Sequence, residues 1–396
     1  MRVLFVDDDV RVLEAIERML LEIEDDWHLQ FASNTERALA ELGRAPCDVV
    51  VSDLRMAGLD GAALLARVAE LYPRTVRIVL SGHSDEETAL KMVPVAHQFL
   101  AKPCPAATLH HLIARTAQLS AFLPERKLQT LVGQVSCLPS PPGLKAEVGR
   151  LLDGVGDSAN TTAELSRVIE QDPAMTAKVL QVAASAFFAN PASVVDVSTA
   201  VLRLGLRTLR ALAPSLSEGL PAHPSRFPTI GMVEELQQRS LAIARVAARM
   251  ARLPEDATNA YVAGLLCDVG ELVLISAAPE RLYVTESEAA LRGGATHAAE
   301  RATWGVTHAE IGAYLLGLWG LPFQIVQAVA HHHSPPPAGD RFELTQLVWL
   351  ASCIVRGERP EAEILHRVGA EELYRSELRA YAAETSATQP TSFTLH

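Results

Sequence analysis

The sequence predicts a chain in two parts, an α/β domain built on a doubly wound, five-stranded parallel sheet, followed by an all-α helical domain. Three observations carry the prediction. In the first 120 or so residues, short β-branched runs alternate with amphipathic stretches, the pattern of a parallel sheet covered by helices on both faces. From about residue 125 such runs vanish, and long stretches rich in Ala, Leu and Arg take over, separated by Pro/Gly segments such as "CLPSPPG" (137–143), "PAHPSRFP" (221–228) and "HSPPPAGD" (333–340). The length of 396 residues is enough for two or three domains of about 150 residues each.

Taken in order, "RVLFV" (2–6) reads as the first strand and "RVLEAIERMLLEI" (11–23) as a helix with period 3.6. "DVVVS" (48–52), "VRIVLS" (76–81) and "HQFLAK" (97–102) supply the third, fourth and fifth strands. The α/β domain is expected over residues 1–120. The stretch 106–135 reads as helical throughout, with 121–136 as a helical linker into a second domain spanning 137–360. Residues 361–396 are expected to form a C-terminal helix and a disordered tail, because "ETSATQPTSFTLH" is polar and aperiodic. No internal repeat is visible.

A net charge of −12 and a pI near 5.6 argue against a protein whose business is coating nucleic acid. The basic run "LRLGLRTLR" (202–210) is read as a solvated helix face. No stretch of about 18 uninterrupted apolar residues occurs, and "MRVLFVDDD" lacks the segments of a signal peptide, so a cytoplasmic protein is expected. Five scattered cysteines, never in C-x-x-C spacing, are expected to be reduced thiols.

In a doubly wound sheet the ligand sits beyond the carboxyl ends of the strands. Polar residues fall at those ends: Asp7, Asp8 and Asp9 after the first strand, Asp53 after the third, Ser81 at the fourth and Lys102 after the fifth. Asp9 reads as a helix N-cap. Converging carboxylates repel one another unless a hard cation joins them, and oxygen ligands of this kind suit Mg²⁺. With a hydroxyl and a lysine across the crevice, the set describes a carboxylate nucleophile that accepts a phosphoryl group.

Through "FVDDD", "VVSDLRMAGLDG", "VLSGH" and "FLAKP", residues 1 to about 120 resemble the receiver domain of two-component response regulators, a flavodoxin-like fold. The resemblance implies that Asp7, Asp8, Asp53 and the backbone carbonyl of Arg55 hold Mg²⁺, and that Asp53 is phosphorylated. It also implies that Ser81 and Lys102 bind the phosphoryl oxygens, that Phe99 is the aromatic switch, and that Lys102-Pro103 is cis. Ala57 departs from the usual proline.

The second half resembles an HDOD domain through "CLPSPPG", Asp172-Pro173, "ASAFF" (184–188), Leu204-Gly205, "AGLLCDVGELVL" (263–274) and "ATWGVTHAEIGAYLLGLWGLPFQIVQAVAHHHSP" (302–335). HDOD domains are relatives of metal-dependent HD phosphohydrolases, whose ligands include a leading histidine and a His-Asp pair on a helix. Here Arg239 stands at the leading histidine and Cys267-Asp268 at the pair. An arginine cannot ligate, so the resemblance implies a degenerate, non-functional site made of Arg239, Cys267, Asp268, His308, His332 and His333, with no metal in this domain. Cys267 reads as a small buried hydrophobe in the middle of a helix, His308 as a structural histidine, and His332-His333 as a helix-terminal motif. A zinc site made of Cys267 thiolate, Asp268, His308 and one of His331 to His333 is the rival reading.

Asp268 is expected to cap a helix or pair with Arg239; if it pairs, exchanging the two residues together should be milder than either single change. The implied function is a phosphorylation-dependent response regulator, with the HDOD domain as a non-catalytic protein-interaction output. Its expected partners are a sensor histidine kinase or phosphotransfer protein and downstream signalling proteins, with a homodimer as one arrangement and neither membrane nor nucleic acid. The alternatives are a phosphorylation-gated, metal-dependent nucleotide phosphohydrolase, or a domain that binds a nucleotide without cleaving it.

Overall fold

A computed structural model describes residues 1–21, 27–56, 60–82, 86–119, 122–154, 159–185, 187, 196–216, 228–334 and 343–388. Ala57, most of the segment 221–228, and the end of the tail lie outside the described residues.

The first domain alternates β1 (Arg2–Val6), α1 (Val10–Leu21), β2 (His28–Ala32), α2 (Thr35–Arg44), β3 (Val49–Ser52), α3 (Gly61–Leu71), β4 (Val76–Ser81), α4 (Glu86–Lys91), β5 (Gln98–Ala101) and α5 (Ala106–Leu119). All pairings are parallel, in the order β2-β1-β3-β4-β5. Every residue of β3 and β4 is buried, which is why these strands are almost wholly apolar, with Arg77 and the terminal serines the exceptions. The second strand is different. Its "HLQFA" lies on the sheet edge, only its last residue is fully buried, and it therefore carries no such run. Strand order reverses between β1 and β3, opening a crevice at their carboxyl ends.

The connection is not one helix. α5 ends at Leu119 and α6 (Arg126–Gly133) starts seven residues later, past Pro124, since proline disfavours helical backbone in the residue before it. The second domain comprises α7 (Pro142–Asp153), α8 (Ala159–Ile169), α9 (Pro173–Ala183), α10 (Val197–Leu216), α11 (Thr229–Met250) and α12 (Pro254–Leu266). It continues with α13 (Val269–Ala277), α14 (Pro279–Arg292), α15 (Thr296–Trp304), α16 (His308–Leu318), α17 (Phe323–Ala330) and α18 (Leu344–Arg356). α19 (Ala362–Arg367) and α20 (Glu371–Thr388) close it.

Two expectations change in detail. Residues 384–388, assigned to the disordered tail, are the last turn of α20. Cys267-Asp268 is not inside a continuous helix; it falls at the junction of α12 and α13, where Asp268 leaves helical geometry at φ −97°, ψ 8°. The run Pro254–Ala277 is long and apolar enough to cross a membrane, yet 83% of its apolar window is buried inside the protein, the mark of a core segment. Within α10 the backbone leaves helical geometry at Gly205, which adopts φ 70°, a conformation that glycine reaches without strain.

The two domains pack directly on each other. α9 starts at Asp172, whose carboxylate accepts from Ala174 N at 2.8 Å, with Pro173 in the first turn, and every residue of the helix is buried. One flank faces the free edge of β5. Gln181 Nε2 donates to His97 O at 3.1 Å and Ser185 Oγ to Phe99 O at 3.0 Å, satisfying edge carbonyls that water would otherwise hold. Lys178, 1% exposed, donates to Gln181 Oε1 at 2.9 Å and lies 4.4 Å over the Trp319 ring. From the other side Gln98 Nε2 donates to Leu318 O at 3.0 Å, and Arg115 donates to the carbonyls of Gly320 and Leu321. Leu119 of α5 packs so closely on Gly317 that a Cβ there would lie 2.2 Å from its Cδ2. The α4–β5–α5 face of the sheet domain is thereby covered by α9, α10 and α16.

Candidate functional site

At the crevice the predicted residues meet. Asp7, Asp8 and Asp53 offer oxygen atoms within 4.8 Å of one another. Asp7 is buried, Asp8 is exposed and Asp53 lies between, so the group opens to solvent on one side. Lys102 Nζ is 2.5 Å from Asp7 Oδ2 and 2.6 Å from Asp53 Oδ2. Burial works against its charge, but the carboxylates of Asp53 and Asp7 outweigh it and raise the lysine pKa. The Lys102-Pro103 peptide is cis, as the resemblance implied. Asp9 is the N-cap, accepting from Arg11 N at 3.0 Å through its side chain.

Ser81 is fully buried at the end of β4, its carbonyl accepting from Lys102 N at 2.9 Å. Phe99 is 1% exposed in β5, and its own carbonyl is the one bound by Ser185, just past the end of α9. Gly61 closes the loop from behind, where a Cβ would come within 1.8 Å of Asp53 O. The donor set of three carboxylates fits a hard divalent cation such as Mg²⁺, and the lysine stands across from the acceptor oxygen.

The second cluster is wholly in the helical domain. Asp268 is fully buried; its Oδ2 accepts from Arg239 Nε at 2.8 Å and its Oδ1 from Arg356 Nη2 at 2.7 Å. Arg239 also pairs with Glu271, one turn further along α13. His308 Nδ1 faces Glu300 at 2.8 Å, while its Nε2 approaches His333 Nε2 at 3.0 Å and His332 Nε2 at 3.3 Å. His332 Nδ1 lies 2.8 Å from Val329 O, just past the end of α17. Although burial opposes its charge, Asp268 is held well below the usual carboxylate range by Arg356 and Arg239, and then by His308 and His332. Burial would likewise depress His308, but Glu300, Glu271 and Asp268 prevail and raise its pKa to about 10. Burial leaves His333 well below its ordinary value. Asp268, Glu271 and Glu300 thus face Arg239, Arg356 and His308 in one buried cluster.

Cys267 is fully buried, and burial pushes its thiol well above its ordinary value, which opposes the thiolate that zinc needs. Ligand atoms of Cys267, Asp268 and His332, and of His308, His332 and His333, do come within 4.8 Å of one another, whereas His331 joins no such group among the described residues. The exchange of Arg239 with Asp268 must be judged anew. An arginine at 268 would face Arg356 across the present 2.7 Å contact, so the double exchange is not expected to be mild.

Sequence reasoning missed Glu271, Glu300 and Arg356. Glu271 did leave a signal, being the lone charge in the apolar α13 "VGELVLISA" and only 3% exposed. Arg356 gave none, since a basic residue in the last turn of a helix is ordinary. Arg203, Arg207 and Arg210 lie on the exposed face of α10, as a solvated stripe should.

Comparison with known proteins agrees with this division. The family model for the response regulator receiver domain matches residues 3–114, and that for the HDOD domain matches residues 138–335. An uncharacterized protein of Treponema pallidum is 28% identical over 63% of this chain and 47% of its own length. The hydrogenase transcriptional regulatory protein HoxA of Cupriavidus necator is 38% identical over 26% of the chain and 21% of its own length. The chain thus spans about half or less of these curated relatives. Among solved structures, the MmoQ response regulator of Methylococcus capsulatus is 24% identical, covering 61% of this chain and 92% of that one, with a TM-score of 0.46.

Proposed function

The chain belongs to the HDOD family, with a response regulator receiver domain ahead of its HDOD domain, and from that premise we propose that phosphorylation of Asp53 controls how the two domains dock. The observation that carries this reading is the hydrogen bond from Ser185, just past the end of α9, to the carbonyl of Phe99, 3.0 Å long, on the strand whose end carries Lys102. The acceptor site and the docking surface share one strand.

Asp7, Asp8, Asp53 and the Arg55 carbonyl would hold Mg²⁺, which supplies charge neutralisation for the transferred phosphoryl group. Asp53 provides the nucleophilic carboxylate. Lys102, which now bridges Asp7 and Asp53, turns to the new phosphoryl oxygens, and Ser81 donates its hydroxyl to another. Drawing Ser81 toward Asp53 shifts the end of β4, and through the Ser81–Ala101 register it shifts β5 and Phe99. The contacts of Gln181 and Ser185 then weaken, exposing α9 and α16 to a protein partner. A sensor histidine kinase or phosphotransfer protein in the cytoplasm is the phosphodonor in this reading.

The HDOD domain acts by docking and not by hydrolysis. Arg239 and Arg356 put two guanidinium groups on the carboxylate that a metal would need. Metal content after exhaustive dialysis tests this half: less than about 0.1 equivalent of zinc, iron or manganese is expected. Near-stoichiometric metal, lost in Asp268→Ala, would restore the phosphohydrolase alternative. The receiver half is tested by acetyl phosphate with Mg²⁺. One phosphoryl group should add by intact mass, none in Asp53→Ala, and amide exchange should rise in β5, α9 and α16. Phosphorylation with unchanged exchange there would sink the docking mechanism.

A further inference from the structure

A cleft of about 780 Å³ lies where the receiver, the connecting helices and the helical domain meet, at the end of the sheet opposite Asp53. Residues just before β1, β3 and β4 form one wall, α5 and α6 the second, and Tyr314 of α16 the third. The volume is within the range of small-molecule sites, about 300–1,000 Å³.

Part of its polar lining is committed: Gln129 Nε2 donates to Leu123 O at 2.7 Å, leaving its Oε1 as an acceptor, and Thr75 Oγ1 donates to Cys47 O at 2.8 Å. Arg74 and Arg126 line the cleft, and neither has a carboxylate partner among the described residues. The carboxylate in the lining, Asp48, is engaged by Arg2 N at 2.7 Å. Tyr314 is only 5% exposed as a residue, but its hydroxyl opens to the cleft and has no hydrogen-bond partner among the described residues. Burial pushes that hydroxyl up to about 12 against the pull of the nearby Arg74 guanidinium, so it is a donor at neutral pH. Two guanidinium groups and a hydroxyl donor, against the single carboxylate Asp48, suit a dianion whose several oxygens can each accept a hydrogen bond, and the remaining space asks for an organic group behind it.

We propose that this cleft binds a small organic phosphate of nucleotide size, its phosphate held by Arg74 and Arg126 and its adjoining polar group by Tyr314 and Gln129. The receiver supplies Arg74, the connector supplies Arg126 and Gln129, and the HDOD domain supplies Tyr314, so the ligand favours the docked arrangement. By reciprocity, undocking weakens the ligand's hold, and this coupling, unlike the site itself, rests on the phosphorylation-gated reading.

Isothermal titration of the full-length protein with AMP, GMP, ATP and inorganic phosphate tests the site. At least one nucleotide should bind with a Kd below about 1 mM. Arg74→Glu and Arg126→Glu, both on exposed backbone positions, should each weaken it about tenfold or more, and Tyr314→Phe by about threefold. Failure of all three nucleotides to bind overturns the proposal, as does binding unchanged in the two arginine variants. Inorganic phosphate bound as tightly as the nucleotides would mark an adventitious anion site only and overturn it too. Binding that survives phosphorylation of Asp53 unchanged keeps the site and refutes the gating.

Discussion

Replacing Asp268 with Asn keeps shape and volume while removing one buried negative charge, which isolates the electrostatic part of the HDOD cluster. Arg356, whose side chain is 11% exposed, would lose its 2.7 Å partner and keep only Glu271 at 3.6 Å. Breaking a buried pair from one side costs about 3–5 kcal/mol, because the remaining charge is left desolvated. Arg239 suffers less, since its side chain is 26% exposed and retains Glu271. The expected cost is therefore about 4 kcal/mol, read as a lower urea midpoint at unchanged slope by far-ultraviolet circular dichroism. The double variant Asp268→Asn/Arg356→Gln should recover part of the loss, because it removes the stranded charge as well. A cost below about 1 kcal/mol, or a double variant worse than the sum of the singles, would refute the claim that the arginines and Asp268 form a charge-matched core.

The His308 imidazolium, raised to about 10, contributes stability that is complete below its unfolded value near 6.5 and is lost as pH rises toward 10. His308→Gln should abolish the part of the stability loss between about pH 6.5 and 9 that this group causes, and identical slopes in parent and variant would contradict the assignment. Gly317→Ala, whose Cβ would meet Leu119 Cδ2 at 2.2 Å, should cost about 1–3 kcal/mol and raise amide exchange in α5 and α16 while leaving β1 and β3 protected. Arg77, buried between domains with Nη2 donating to Gly133 O at 2.8 Å, should on change to Met loosen α6 first, seen as faster proteolysis after Arg126 or Lys127.

The receiver was legible because its chemistry sits at strand ends that the sequence marks. Asp7, Asp53, Ser81 and Lys102 each follow or close a buried apolar run, so four local signals converge on one crevice without knowledge of any long-range contact. The edge strand β2 carried no such run, since a half-buried strand need not be uniformly apolar. Arg239 and Asp268 were also legible, as departures from a ligand pattern.

The charge partners of that pair were decided by tertiary structure alone. Arg356 comes from a helix 88 residues beyond Asp268, and Glu300 reaches His308 from the preceding helix. Nothing in local composition distinguishes a buried cation from a solvated one, because burial is a property of what packs around it. The docking of α9 on the edge of β5 has the same origin. Lys178, Gln181 and Ser185 look like the polar face of a surface helix, and only the other domain turns that face into an interface. The sequence by itself determined two folds and the strand-end crevice in which Asp53 is the proposed phosphoacceptor. Which face joins them, and which charges balance inside the second, depended on contacts between residues far apart in the chain, whose energies no local pattern records.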